Sequence, residues 1–230
     1  MLDVTANDWA LLAEMERRLV YPLRTYSWVG YDKHRAFMRA GKDHRERLMI
    51  AANRVGKTQC AAYEFSLHLT GAYDEYAPWW DGRRFERPVS LWAAGDTGKT
   101  TRDILQKAYL GRPGEDGTGM IPAHLIEKQT SKAGLPDAIE SIYVRHISGG
   151  LSHLQLKSYD QRRESFQGTE QDIIHLDEEP PEDIYTECLL RTMVGGGCIL
   201  LTFTPLMGLT PLVLSFLPGG RLERVPSPGL

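Results

Sequence analysis

The chain has 230 residues, and its 27 Lys and Arg against 30 Asp and Glu give a formal net charge of −3. A hydrophobic fraction of 42% and a charged fraction of 25% are those of a globular protein, which excludes a disordered, coiled-coil or collagen-like chain. No run approaches the roughly 18 apolar residues that cross a bilayer, so we expect no membrane association. Three scattered cysteines predict neither a disulfide framework nor a zinc site, and they indicate a reducing cytoplasm.

Charge is distributed unevenly along the chain. Residues 31–57 hold eight Lys and Arg against three acidic residues, whereas residues 170–187 hold eight acidic residues and no Lys or Arg. Both runs are typical of solvated faces. The alternative is that the basic run meets phosphate and the acidic run holds a metal.

The first half of the chain alternates helical and strand patterns. Thr5 and Asp8 form a weak capping box at the start of the first helix, and Gly41 and Gly71 end two later ones. The predicted elements are helices at 5–20, 33–40, 57–70 and 99–110, strands at 47–52 and 89–94, and connectors at 21–30 and 72–87.

The second half begins with a region predicted to be mostly loop, residues 111–138, which holds five Gly and three Pro. Gly149 and Gly150 then indicate a hairpin between two strands. The predicted elements are strands at 142–147, 154–159, 172–176 and 199–203, helices at 181–193 and 208–217, and a Gly- and Pro-rich tail. This alternation predicts an α/β domain on a mostly parallel sheet. We expect a helix and connector at 1–30, one domain at 31–217 and a tail at 218–230.

Gly-Lys-Thr occurs twice, at 56–58 and 98–100, and each copy follows an apolar strand and opens a helix. That context suits a phosphate-binding loop, in which backbone N–H groups and a helix N-terminus meet phosphate, lysine reaches the outer phosphates and threonine binds Mg²⁺. Neither copy has the first glycine of the full motif, because Ala51 and Ala93 stand there.

The charge inside each loop separates the two copies. Arg54 in the first loop assists phosphate binding, whereas Asp96 in the second competes with it. We therefore favour the first copy, residues Asn53, Arg54, Val55, Gly56, Lys57 and Thr58. For the second copy we expect an ordinary strand-to-helix turn that is capped by Thr97 or Asp96.

The strand at 172–176 runs into two acids, Asp177 and Glu178. In ATPases with such a loop, the first acid orients metal-bound water and the second accepts a proton from the attacking water. The alternative is a strand end with solvated acids. His175 interrupts the apolar run, and we interpret it as a packed core histidine. Beyond it, Thr202 and Thr204 end another strand, where hydroxyls can sense a γ-phosphate or merely reflect strand propensity.

These segments together resemble the ATPase half of a tailed-phage terminase large subunit, the motor that pumps DNA into capsids. The resemblance spans roughly residues 30–217. It rests on segments 52–58, 166–169 leading into 172–180, and 202–205, with weaker likeness at 80–85, 148–150 and 157–160. It implies a P-loop NTPase fold of the ASCE or RecA-like type, with three layers, and ATP and Mg²⁺ as cofactors.

The resemblance also implies roles for single residues. Lys57 and Thr58 would bind phosphate and Mg²⁺, and Arg54 would contact the γ-phosphate. Asp177 would hold the metal, and Glu178 would be the catalytic carboxylate. Thr202 and Thr204 would couple hydrolysis to DNA movement. Implied partners are double-stranded DNA, the capsid portal, the terminase small subunit and further copies in a ring, in the bacterial host cytoplasm.

The chain departs from the family pattern at three places. Ala51 replaces a loop glycine, His34 stands where an adenine-reading glutamine is expected, and the RNase H-like nuclease domain of family members does not follow, so we expect no nuclease activity. Alternatives are another nucleic-acid-dependent P-loop ATPase such as a helicase, a small-molecule kinase, or a truncated, catalytically weak fragment. Candidate DNA contacts are the basic residues at 33–47 and the pair Arg162 and Arg163, which could also reach a neighbouring subunit's ATP or be solvated.

Overall fold

The computed structural model describes residues 21–217 and, before them, residues 5, 8, 9, 11 and 12. Thr5 and Asp8 make the reciprocal hydrogen bonds of the predicted capping box. The rest of the predicted helix over 5–20 and the whole tail over 218–230 lie outside the described residues. None of the helices in the described part of the chain is long and apolar enough to cross a membrane.

Seven strands form one sheet in the order β1-β7-β6-β2-β5-β4-β3. The strands are β1 (Glu46–Ile50), β2 (Ser90–Gly95), β3 (Ile126–Ser131), β4 (Ile139–Arg145), β5 (Leu151–Ser158), β6 (Ile173–Asp177) and β7 (Cys198–Phe203). The first five in spatial order pair in parallel, and β4 and β3 add an antiparallel edge. The predicted mostly parallel α/β sheet is therefore confirmed.

Helices cover both faces of this sheet. They are α1 (Pro22–Thr25), α2 (Asp32–Ala40), α3 (Lys57–Thr70), α4 (Tyr73–Tyr76), α5 (Gly98–Thr100, a π-helical turn Thr101–Gln106, then Lys107–Tyr109), α6 (Glu182–Met193) and α7 (Pro211–Ser215). Successive strand residues point to opposite faces. On β2, Leu91 and Ala93 enter the hydrophobic layer of α3 and α5, whereas Trp92 and Ala94 enter that of α6 and α7. The predicted three-layer arrangement is confirmed.

Helix α3 has both of the ends that the sequence predicts. Gly56 precedes it at φ +84°, and Gly71 ends it at φ +69° while its amide bonds the carbonyl of Leu67. Only glycine adopts this left-handed conformation without strain. The helix carries the phosphate loop at its start and is buried over almost its whole length.

The structure differs from the sequence prediction at the antiparallel edge. Residues 111–138, predicted to be mostly loop, contain β3. This strand reads Ile-Glu-Lys-Gln-Thr-Ser and pairs only with β4, with two irregularities in register. An edge strand with so few apolar residues lacks the alternation that marks a half-buried strand in sequence.

Candidate nucleotide-binding site

Three neighbouring strands carry the predicted site residues to one edge of the sheet. The order β1-β7-β6 places the loop after β1 beside the acidic end of β6, with β7 between them. Thr202 on β7 is the register partner of both Met49 on β1 and Asp177 on β6. Because the three strands are parallel, their carboxyl ends meet at this edge, where ligands bind in open α/β sheets.

The lysine of the first Gly-Lys-Thr lies inside its own loop. Its Nζ donates to the carbonyl oxygens of Ala51 and Ala52 and to Thr204 Oγ1, each at 3.0 Å. Thr204 Oγ1 also lies 2.8 Å from Asn53 Oδ1. All three protons of the Lys57 ammonium are thus directed at oxygens, and a phosphate group bound there would supply oxygens of the same kind.

The threonine of this motif contacts the first acid across the gap between strands. Thr58 Oγ1 lies 3.0 Å from Asp177 Oδ1, which also accepts a 2.7 Å hydrogen bond from Thr202 Oγ1. Asp177 is buried. Thr202 at the end of β7 and Thr204 just after it therefore have different surroundings, because Thr202 contacts the carboxylate whereas Thr204 contacts the phosphate loop.

The second acid has an unusual backbone. Glu178 adopts φ +67°, a left-handed conformation that is uncommon outside glycine and clusters at functional sites. The Tyr159 hydroxyl donates towards the carbonyl oxygens of both Asp177 and Glu178, at 3.1 and 3.0 Å. Partial burial and the neighbouring Asp177 carboxylate raise the pKa of Glu178 above its usual value. A raised pKa favours proton acceptance, which suits a general base.

The oxygen groups at this edge fit magnesium when a nucleotide shares in binding it. Among the described residues, no group of three or more His, Cys, Asp and Glu side chains is arranged to hold a metal alone. Mg²⁺ sites of nucleotide enzymes commonly use one or two carboxylates together with substrate phosphates and water. The Thr58 hydroxyl and the Asp177 carboxylate are such a partial set.

Arg54 and His34 flank the loop. Arg54 adopts φ +65° with an exposed side chain, and none of the ion pairs between described residues involves it. The His34 ring stands 5.6 Å from the Trp28 ring and 5.3 Å from the Tyr31 ring. A methyl group placed on Gly56 would lie 3.8 Å from His34 Nε2. His34 is thus beside the loop, and its role in base preference stays a prediction.

The second Gly-Lys-Thr forms an ordinary helix start. Thr97 caps α5 and exchanges the hydrogen bonds of a capping box with Thr100. The Gly98 amide donates to the Asp160 carboxylate at 3.0 Å, so an anionic side chain of the protein already occupies this helix end. The expected Thr97 cap is confirmed, and Lys99 is exposed.

Sequence reasoning missed two tyrosines at the site. Tyr159 contacts the acidic strand end, and Tyr109 bonds His175 at 3.1 Å. Neither belongs to a local motif. Segment 157–160 was noticed only through the family resemblance, and nothing in the sequence near Tyr109 indicates the contact. His175, predicted as a packed core histidine, is fully buried.

A phosphate loop, an acidic strand end and a hydroxyl-bearing strand between them, at one edge of a mostly parallel three-layer sheet, define a protein of the P-loop NTPase class. Comparison with protein families shows which family within this class the chain belongs to. Residues 48–226 match the family described as the terminase large subunit, T4likevirus-type, N-terminal domain, and the chain belongs to that family.

Individual relatives agree with this assignment. The chain is 37% identical over 212 residues to the terminase large subunit of Salmonella phage P22, and the match covers 84% of this chain and 42% of that protein. The chain thus spans less than half of the length of this curated relative. The large terminase ATPase domain of Thermus phage P74-26 matches with a TM-score of 0.56 and 17% identity, over 89% of this chain and 71% of that chain, which shows the shared fold.

Proposed function

We propose that residues 31–217 are the ATP-hydrolysing motor domain of a terminase, which couples ATP hydrolysis to the movement of double-stranded DNA into a capsid. The observation that carries this proposal is the contact between Thr58 of the phosphate loop and Asp177 of the acidic strand end, in a chain of the terminase family. The proposal concerns ATP hydrolysis, and we propose no nuclease activity for these residues.

Each site residue has a defined task in this proposal. Lys57 and the backbone of Asn53, Val55 and Gly56 bind the β- and γ-phosphates, and Thr58 and Asp177 hold Mg²⁺. The metal, when bound, neutralises charge on the phosphate oxygens.

The remaining residues act on the γ-phosphate and the attacking water. Glu178 accepts a proton from that water, and exposed Arg54 contacts the γ-phosphate. Thr204 joins the Lys57 ammonium to the end of β7, so that loss of the γ-phosphate changes the contacts of this strand. Thr202 transmits the same change from Asp177.

DNA contacts are proposed for the exposed part of the basic run. Arg47 is buried in an ion pair with Glu64, and Arg45 donates to backbone carbonyl groups, so these two serve the fold. The remaining exposed candidates are Lys33, Lys42 and Arg39, of which Arg39 is ion-paired with Asp81. Arg35 is a further candidate, but it is half-buried, with its guanidinium 4.9 Å from the centre of the Trp79 ring. They would contact phosphates and therefore position DNA without selecting its sequence.

Arg162 is the better candidate for an arginine that reaches the ATP of a neighbouring subunit. Arg163 Nε lies 3.0 Å from Glu187 Oε2, whereas Arg162 is exposed, at φ +64°, and is in none of the ion pairs between described residues. We propose that the motor works as a ring of copies on the capsid portal, with the small subunit, in the host cytoplasm.

An ATPase assay of this chain, with no DNA, with single-stranded DNA and with duplex DNA, tests the proposed function. We expect ATP turnover that duplex DNA increases. Nucleotide binding without turnover under all three conditions would contradict it and favour a catalytically weak fragment. Stimulation by single strands together with strand separation would favour the helicase-like alternative.

Replacing the lysine by alanine should affect ATP binding in the first Gly-Lys-Thr copy but not in the second. We expect Lys57→Ala to weaken ATP binding roughly 10- to 150-fold, because a hydrogen bond to a charged group contributes about 1.5–3 kcal/mol. Lys99→Ala is the matched control and should leave affinity unchanged, since the adjacent helix start is occupied by Asp160. Titration of a fluorescent ATP analogue measures both, and loss of binding only in Lys99→Ala would show that the wrong loop was chosen.

A further inference from the structure

A buried polar chain runs from helix α5 to the carboxylate at the end of β6. The Tyr109 hydroxyl lies 3.1 Å from His175 Nδ1, and His175 Nε2 lies 2.7 Å from Thr202 Oγ1. Thr202 Oγ1 in turn lies 2.7 Å from Asp177 Oδ1. The first three side chains are completely buried. The proposed nucleotide site gives roles to Thr202 and Asp177, but it gives none to His175 and Tyr109.

The strand geometry explains why these groups meet. His175 and Asp177 are two residues apart on β6, so their side chains share the face that α3 and α5 cover. Thr202 pairs in register with Asp177 on the neighbouring strand. His175 Nε2 lies 3.6 Å from Asp177 Oδ1, beyond a good hydrogen bond, so the threonine hydroxyl links the two side chains.

With a neutral imidazole, one arrangement of protons satisfies all of these groups. A carboxylate only accepts hydrogen bonds, so the Thr202 hydroxyl donates its single proton to Asp177. His175 must then donate to Thr202 through Nε2, and its unprotonated Nδ1 accepts from the Tyr109 hydroxyl. Every hydrogen bond in the chain therefore points towards the carboxylate.

We propose that His175 is a positioning residue for the magnesium ligand Asp177. By fixing the proton of Thr202, His175 holds the Asp177 carboxylate with Oδ1 towards Thr58 before any metal binds. A ligand that is already oriented loses less conformational freedom on binding a metal. Tyr109 fixes the imidazole from α5 and thereby makes this helix a support of the metal site. The inference rests on the proposed function, because it concerns the same site.

Four variants test this role. His175→Leu removes both hydrogen bonds, His175→Gln keeps a donor and an acceptor, and Tyr109→Phe removes the outer hydroxyl alone. Tyr63→Phe is the matched control, because it removes a buried hydroxyl in the same hydrophobic layer that bonds the Tyr76 carbonyl and is not a member of the polar chain. For each folded variant, the affinity for a fluorescent ATP analogue is measured across a Mg²⁺ titration and again with EDTA.

We expect the half-saturating Mg²⁺ concentration to rise about 10- to 100-fold in His175→Leu, the range found for outer partners of metal ligands. Tyr109→Phe should raise it roughly 2- to 10-fold, as for one neutral hydrogen bond. His175→Gln should largely restore the wild-type value, and Tyr63→Phe should match it. Affinity in EDTA should not change in any variant, which separates positioning of the metal ligand from general damage.

An unchanged Mg²⁺ dependence in His175→Leu overturns the inference. If that variant does not fold, an unchanged dependence in Tyr109→Phe does so instead. Nitrogen-15 spectra of the imidazole, assigned with His175→Gln, should give the Nε2–H tautomer without nucleotide, and an Nδ1–H tautomer also overturns the inference. A wild-type chain that binds no nucleotide contradicts the proposed function and this inference together, whereas normal binding with unchanged Mg²⁺ dependence contradicts the inference alone.

Discussion

Glu178→Gln is expected to lower the rate of ATP hydrolysis by a factor of about 10² to 10⁴, the usual contribution of a general base. The amide has nearly the same shape as the carboxylate but cannot accept a proton from water. Glu178 has no task in holding the nucleotide, so the affinity for ATP should stay close to that of the wild type. Single-turnover hydrolysis and equilibrium binding, measured on the same preparation, separate the two effects.

The next residue gives a matched control for this substitution. Glu179 is also a glutamate at the strand end, but its carboxylate accepts a hydrogen bond from the Thr210 hydroxyl at the start of α7. Glu179→Gln should therefore change the hydrolysis rate by less than about threefold, since the glutamine amide oxygen can still accept from Thr210 and Glu179 has no proposed part in the reaction. Equal losses in the two variants would show that neither carboxylate is the specific base.

The sequence predicted the elements whose two ends carry local signals. Helix α3 lies between Gly56 and Gly71, and both glycines adopt the left-handed conformation that a helix boundary of this kind uses. Strand β3 has no such signal, because its side chains are mostly polar and its register is set by β4. The π-helical turn in α5 was also not predicted, since hydrogen-bond spacing inside a helix leaves no periodic mark over one turn.

The site residues that belong to local motifs at strand ends could be predicted from the sequence. Residues that reach the site from distant parts of the chain could not. Lys57, Thr58 and Asp177 belong to such motifs, and the parallel sheet brings them together. Tyr159 reaches Asp177 from 18 residues away in sequence, and Tyr109 reaches His175, behind the acidic strand end, from 66 residues away. No spacing rule relates residues so far apart without knowledge of strand order, and the order β1-β7-β6-β2-β5 was not predicted.

The basic run at residues 31–57 has the composition of a solvated face, but the structure buries one of its arginines, Arg47. Arg47 forms a bidentate ion pair with Glu64, with N–O distances of 2.6 and 3.1 Å and side-chain exposures of 3% and 1%. Arg47 Nη1 also donates to the Phe37 carbonyl at 2.7 Å, and Glu64 Oε1 lies 3.3 Å from His68 Nε2. The pair joins β1 to α3, the two elements on either side of the phosphate loop.

Glu64→Gln is expected to lower the free energy of unfolding by about 3–5 kcal/mol, because it leaves the Arg47 charge buried without a counter-charge. The matched control is Asp74→Asn, which removes a carboxylate from an exposed pair with Arg84 at 2.7 Å. That variant should lose less than about 1 kcal/mol. Urea unfolding at pH 7 measures both, and equal losses would contradict the distinction between a buried and an exposed pair.

The Arg47–Glu64 pair also predicts how the difference in unfolding free energy between wild type and Glu64→Gln depends on pH. Burial by itself raises the pKa of Glu64, but Arg47 and the hydrogen bonds from His68 and Arg47 outweigh it and hold the pKa below the ordinary 4.5. A lowered native pKa means that the carboxylate stabilises the fold fully above the unfolded-state pKa and loses this contribution as the pH falls through the native value. The difference in unfolding free energy between wild type and Glu64→Gln should therefore be constant near neutral pH and narrow below about pH 4.5.

Because the pair holds both sides of the phosphate loop, Glu64→Gln should also weaken ATP binding at pH 7, although Glu64 does not contact the site.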